Sequence, residues 1–453
     1  MITQLKQTFR LALPVIIGQL GQIFMGFTDS VMVGRLGAVE LAASSFVLNI
    51  FSLAFVLLIG VSTGISAKVS QSLGANRNEE CGGYLVNGLL VTFLTVLFIA
   101  LVLFTLAPYL EIFKQPPAVT QAAKTFYILM AWGFFPLFLF FGYKQFLDGL
   151  GKTMPAMFVT FVGVGINIVL NYFFIFGHGG FPKMGLAGSG LATLLARILM
   201  ALAIWWHVQF SGRYNVYLAK FNFKFSKTKI RHVLEIGVPS AFQYFFEVVA
   251  FSGAGILMGW ISLESLAAHQ IAINLASITF MIAVGISIAT SVRVGRAFGA
   301  KNLMELRQIG MGSLGLIVLI ESVFAITFIV GRNFFPTIYI DNQRVISIAS
   351  QLLIVAGFFQ IFDGVQSVGV GILRGMSDVK IPTLISLGSY WIVGLFLAYV
   401  FAFPMGFAEL GIWVALALSL FVSSSLLVTR FRYLLRKRSH LDMILTSQHD
   451  SSF

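Results

Sequence analysis

The sequence predicts an all-α polytopic membrane protein with twelve transmembrane helices in two pseudo-symmetric six-helix lobes. Three observations point there. Of 453 residues, 58% are hydrophobic and only 10% charged, whereas a soluble domain carries about 25% charged residues. The apolar residues gather into twelve stretches of about the 20 residues that a helix needs to cross ~30 Å of hydrocarbon. The chain also repeats itself at a fixed offset. A mean hydropathy of +0.91 excludes a soluble enzyme, a DNA-binding domain and a disordered chain, because so few charges cannot cover the surface of a soluble protein this size.

The spans run approximately over 11–34, 42–67, 84–107, 125–147, 155–176, 185–210, 233–258, 266–292, 308–331, 345–373, 381–403 and 410–434. Met1 to Arg10 is polar and basic, and the apolar stretch that follows is too long for a signal peptide, so none is expected. Gly, Pro or charge then punctuates every gap. Gly34-Arg35 ends the first span and Lys68 the second, and Gln115-Pro116-Pro117 precedes the fourth. Asp148-Gly149-Leu150-Gly151-Lys152 closes the fourth, Gly177-His178-Gly179-Gly180 the fifth and Ser211-Gly212-Arg213 the sixth. Arg293 ends the eighth, Gly331-Arg332 the ninth, Arg374-Gly375 the tenth and Pro404 the eleventh. The short alternating segments of a β-barrel are missing.

The net charge of +13 is a topology signal rather than a mark of nucleic-acid binding. One set of loops holds about 23 of the Lys and Arg residues and the other about 6. The crowded set includes Arg213, Lys220, Lys224, Lys227, Lys229 and Arg231, then Arg293, Arg296, Lys301 and Arg307, and the tail residues Arg430, Arg432, Arg436, Lys437 and Arg438. Both termini are therefore expected in the cytoplasm, with the inner membrane of a bacterium as the location. A single cysteine, Cys81, excludes an intrachain disulfide, and the six histidines show no transition-metal spacing.

A shift of 225 residues aligns 12–75 with 237–300 without a gap. Pro14 meets Pro239, Gly34 meets Gly259, Asn49 meets Asn274, Gly60 meets Gly285 and Gly74-Ala75 meets Gly299-Ala300. About 14 positions are identical, where chance in so apolar a text gives roughly 5. A weaker echo pairs Asp148-Gly149-Leu150-Gly151 with Arg374-Gly375-Met376-Ser377 after a one-residue adjustment. Six spans per repeat is an even number, so both copies enter the membrane in the same direction. The expected organisation is an N-lobe over 1–210, a basic linker over 211–232, a C-lobe over 233–435 and a tail over 436–453, with two bundles that rock around a cleft, as in a carrier.

Ionisable residues inside hydrocarbon cost about 2.5–3.5 kcal/mol or more, so those present line wet cavities or bind something. They are Asp29, Arg197, Glu247, Glu321 and Asp363. Asp29 aligns with Ala254 and Glu247 with Gln22, so both acids break the internal symmetry. Asn167 and Asn171 lie one turn apart on span 5, and with Thr193 on span 6 they match Asp29 in depth. This set can coordinate a small hard cation or hold a proton; a merely structural polar cluster is the alternative. Glu247 and Asp363 form a second acidic pair, to which Gln270 and Asn274 on span 8 can add oxygens. Two carboxylates in a dry site cannot both stay ionised without a cation between them. Arg197 and Glu321 have no evident partner. Pro14 and Pro239, early in their spans, are hinge candidates.

The chain resembles, over nearly its full length, NorM-type transporters of the multidrug and toxic compound extrusion family. The resemblance is carried by Ala12-Leu13-Pro14, Thr28-Asp29-Ser30-Val31-Met32-Val33-Gly34, Phe245-Phe246-Glu247-Val248, Ala267-Ala268-His269-Gln270 with Asn274, Arg293-Val294-Gly295, and Asp363-Gly364-Val365-Gln366 leading to Leu373-Arg374-Gly375. It implies export of cationic amphipathic compounds in exchange for Na⁺ or H⁺, without a cofactor. Asp29, Asn167, Asn171 and Thr193 would be the N-lobe site, and Glu247 and Asp363 the coupling acids of the C-lobe. Where some NorM-type members carry a tyrosine one turn before the acid of span 10, this chain has Phe359. The expected partners are the lipid bilayer and small cationic organic substrates, with no nucleic acid and a monomeric state. The alternatives are a flippase of lipid-linked saccharides or lipids, which favours an arginine-rich cavity, and an intramembrane enzyme, which needs a nucleophile–base pair or metal cluster that the sequence lacks.

Overall fold

This computed structural model describes residues 2–218 and 225–450, with side chains over 3–218 and 225–438. Lys220 and Lys224 of the basic linker lie outside the described residues, as do 451–453 of the tail and the side chains of 439–450. Among the described residues there are no strands, and twelve helices are long and apolar enough to cross a membrane. They are α1 (Thr3–Gly34), α2 (Ala38–Gly74), α3 (Asn78–Phe113), α4 (Pro117–Gly149), α5 (Met154–Phe176) and α6 (Gly185–Phe210). After the linker come α7 (Lys227–Ile261), α8 (Leu263–Gly299), α9 (Leu303–Gly331), α10 (Gln343–Gly375), α11 (Lys380–Ala402) and α12 (Ala408–Arg438).

Most helices outrun the apolar stretch that announces them. α2 and α8 continue to Gly74 and Gly299 through Lys68 and Arg293, because hydrocarbon thickness limits the apolar run but not the helix. Three are irregular. α3 tightens into a 3₁₀ turn over Ala107–Phe113, which carries Pro108 at its start. α4 breaks at Gly133, where Pro136 has no N–H to give the Trp132 carbonyl. α11 widens into a π-helix over Gly388–Phe396.

The repeat is written into the loop backbone. Asn76 and Lys301, 225 residues apart, both adopt φ 56°. Each closes its helix through the same pair of bonds, Asn76 N–H to Leu73 O with Arg77 N–H to Ser72 O, and Lys301 N–H to Phe298 O with Asn302 N–H to Ala297 O. This is the left-handed closure that caps orphan carbonyls at a helix end. The weaker echo also has a structural basis, since Gly151 (φ 70°) and Ser377 (φ 61°) occupy matching left-handed positions.

The chain divides into two compact units: Ile17–Ala241, and the segment up to Ile16 together with Phe242 onward. Two helices, α1 and α7, pass from one unit to the other, each two residues after its internal proline, Pro14 or Pro239. The N-terminal unit is cored by Leu58, Ile65, Leu85, Tyr127, Phe134, Phe140 and Phe146, all fully buried. The first half of α7 belongs to this unit and meets α2 backbone to backbone. A Cβ at Gly60 would stand 2.2 Å from Ala241 Cα, one at Gly64 2.3 Å from Val233 O, and one at Gly237 2.3 Å from Val61 O. Gly60 and Gly64 are four residues apart, the small-residue spacing that lets membrane helices approach closely. In the C-terminal unit, Arg293 of α8 holds the start of α1, donating from Nη1 to Gln4 O and Thr8 Oγ1, both at 2.6 Å. Its core is built on Trp413, Tyr390, Leu352 and Leu353.

Within α4, Lys144 Nζ donates to Asp148 Oδ2 at 2.7 Å, and the Asp148 side chain is only 1% exposed. Removing one partner strands a buried charge, which costs about 3–5 kcal/mol. Asp148→Ala should therefore lower the thermal melting point clearly, while Lys144→Met with Asp148→Leu recovers most of the loss.

Candidate ion-binding sites

Each unit holds a polar cluster, inside its spans, that contains residues expected to bind a cation. In the N-terminal unit, α5 presents Asn167 and Asn171 one turn apart on its inward face, both wholly buried. Asn171 Nδ2 donates to Asp29 Oδ1 at 2.5 Å and to Asn167 Oδ1 at 3.2 Å, and Asn167 Nδ2 donates to Thr193 Oγ1 at 3.3 Å. All four residues expected at this site are thus joined in one relay from α1 through α5 to α6. Asp29 is half-buried at the end of the relay, and the Asn171 Oδ1 oxygen is buried without a donor. Arg197, one turn beyond Thr193, acts electrostatically on Asp29. Its guanidinium lies at the break in α4, where a Cβ on Gly133 would stand 2.7 Å from Nη1. The cluster is a set of oxygen acceptors beside one carboxylate, partly balanced by a fixed cation.

In the C-terminal unit, Asp363 on α10 is 6% exposed and Glu247 on α7 8%. The charges of Glu247 and of Glu321 from α9 both act on Asp363. Glu321 is 1% exposed, and neither of its carboxylate oxygens has a partner. Its side chain lies across Gly364, where a Cβ would come within 2.8 Å of Glu321 Cγ. The charges of both Glu247 and Asp363 act on Tyr390, from the π-helical stretch of α11, whose buried hydroxyl has no hydrogen-bond partner. On α10, Gln360 accepts a bond from Thr279 Oγ1 of α8 at 2.7 Å. Arg374 is 3% exposed, donates to the Tyr244 hydroxyl at 3.2 Å and is the cation that acts on Glu247.

Gln270 and Asn274 are not drawn into this cluster. They bond one another at 3.1 Å on an exposed stripe of α8 that continues through Leu266 and Ile278. The inward face of α8 presents His269 and Thr279 instead. Trp413 Nε1–H donates to His269 Nδ1 at 3.2 Å, which fixes the imidazole as an acceptor at that nitrogen. Phe359 packs on Trp413 and Phe251, and Phe251 in turn on Tyr390. Sequence reading left Glu321 without a place and passed over Tyr390. The available signal was a carboxylate and a Ser389-Tyr390 pair inside otherwise apolar spans.

Twelve apolar helices on a duplicated six-helix plan, with acids inside the spans of both copies, are the architecture of a membrane transporter. The pattern of the MatE family matches the chain twice, over 14–173 and 239–400, and the chain belongs to this family. It is 33% identical to the probable multidrug resistance protein NorM of Pseudomonas putida, with 96% of each chain covered. To the protein of the same description in Mesorhizobium japonicum it is 34% identical, over 94% of this chain and 93% of that one. Among solved structures, a MATE in the bent conformation superposes with a TM-score of 0.88 at 20% identity, covering 96% of this chain and 97% of the other. An outward-facing multidrug resistance MATE family transporter matches with the same TM-score, identity and coverage.

Proposed function

We propose that this protein is a secondary antiporter that exports cationic amphipathic drugs and other toxic organic compounds in exchange for Na⁺ or H⁺. The observation that carries the reading is the buried carboxylate of Asp363, whose Oδ1 has no partner in a part of the protein where an unpaired charge is costly. A mobile cation supplies what the fold withholds. Coupling ion and cationic substrate draw on the same negative charge, so occupancy by one weakens binding of the other, reciprocally. Asp29 with Asn167, Asn171 and Thr193 serves the lobe of 1–210, and Glu247 with Asp363 serves that of 233–435. Gln270 and Asn274 contribute through the exposed stripe of α8 rather than as ligands of these acids. Pro14 and Pro239 are the hinges, supported by their positions two residues before α1 and α7 change unit. The protein lies in a bacterial inner membrane with both termini in the cytoplasm and acts as a monomer. Three acids, Glu247, Glu321 and Asp363, against one arginine, Arg374, in the buried cluster of the C-terminal unit favour cationic cargo over the phosphates of a lipid-linked saccharide.

Purified protein in proteoliposomes should extrude ethidium under an imposed Na⁺ gradient or, separately, under a pH gradient. The gradient that works names the ion, and no efflux under either overturns the proposal. Asn171→Ala, which frees the Asp29 carboxylate from its amide donor, should lower ion-driven efflux about tenfold, as loss of a positioning partner does at other cation sites.

A further inference from the structure

Glu321 has no place in the function as stated, yet it is among the most costly side chains in the molecule. It is 1% exposed, and both carboxylate oxygens are buried without a hydrogen bond or ion pair. A carboxylate in that position needs a positive species beside it or a proton on it. Its stem rests on Gly364, one residue after Asp363. The absence of a side chain at Gly364 lets the Glu321 stem of α9 pack against α10 next to Asp363 in sequence. Arg374 acts on Glu247, but the charges acting on Asp363 are both negative. Independently, Tyr390 on a third helix is wholly buried, its hydroxyl has no partner, and the charge of Asp363 acts on it. The π-helical turn that places it there is a departure from regular geometry often found at functional sites. Phe359, on α10 itself, cannot supply a hydroxyl; α11 does.

We propose that Glu321 is the second carboxylate of the transported-cation site whose first is Asp363, with the Tyr390 hydroxyl as a neutral oxygen ligand. Two carboxylates facing one another in a dry site hold a monovalent cation between them, because they cannot both stay charged without it. This assignment rests on the antiport reading above and adds to it a residue from α9.

The test uses the full chain in proteoliposomes, with ethidium as cargo and whichever of the Na⁺ or pH gradients drives the wild type. Glu321→Gln keeps shape and removes charge. It should raise the half-saturating concentration of the driving ion at least tenfold. Glu321→Asp, with the same charge on a shorter arm, should fall between. An ion dependence unchanged in Glu321→Gln overturns the assignment, and if Asp363→Asn is inactive in the same assay the antiport reading stands without it. Should Glu321→Gln not be recovered folded, an unchanged ion dependence in Glu321→Asp overturns it equally. A wild type driven by neither gradient overturns both.

Discussion

Asp363→Asn should abolish gradient-driven efflux while the protein still inserts and folds. The substitution keeps the shape of a residue 6% exposed and removes the charge that interacts electrostatically with Glu247, Glu321 and Tyr390. A site that has lost this charge no longer discriminates between its ion-loaded and empty states. The coupling between ion and cargo, typically worth 5–150-fold in affinity, goes with it. Efflux of ethidium should fall about a hundredfold or more. The melting temperature should hold or rise, because a buried charge without a fixed partner stabilises nothing. Undiminished efflux in this variant would remove Asp363 from the mechanism.

Gly60→Val should produce the largest structural effect. Its Cβ would stand 2.2 Å from Ala241 Cα and 2.5 Å from Ala241 N, so the collision is with backbone and no side-chain rotation relieves it. Overpacking of a tight contact costs about 1–3 kcal/mol, and more where neither side can yield. We expect about 3 kcal/mol or more here. Gly165, around which a Cβ finds open space, is the control: Gly165→Ala should leave expression and melting temperature near wild type. Equal melting curves for Gly60→Val and Gly165→Ala would show that α2 and α7 are not held as described.

Much of this molecule could be read before its structure. Composition decides that the chain lives in a bilayer, and the 225-residue offset decides that it is duplicated, down to the matched left-handed residues Asn76 and Lys301. Helix ends were less legible, because hydropathy measures the thickness of hydrocarbon while α2 and α8 extend beyond it. The relay of Asp29, Asn171, Asn167 and Thr193 was readable from one-turn spacing and matching depth. The same spacing suggested Gln270 and Asn274 for the other cluster, and here it fell short. Periodicity establishes that two residues share a face but not which way that face turns, and α8 turns His269 and Thr279 inward instead. Glu321 and Tyr390 required knowledge of which helices pack on α10. Tyr390 further required the π-helical turn, which shifts the faces of α11 from where a 3.6-residue period puts them.

The exchange of leading half-helices bears on how such a chain could be divided. Residues up to Ile16 lodge with the later repeat, and the start of α7 lodges with the earlier one. Neither repeat is therefore a self-contained folding module. A gene split at the linker should accordingly give active protein only when both fragments are synthesised together.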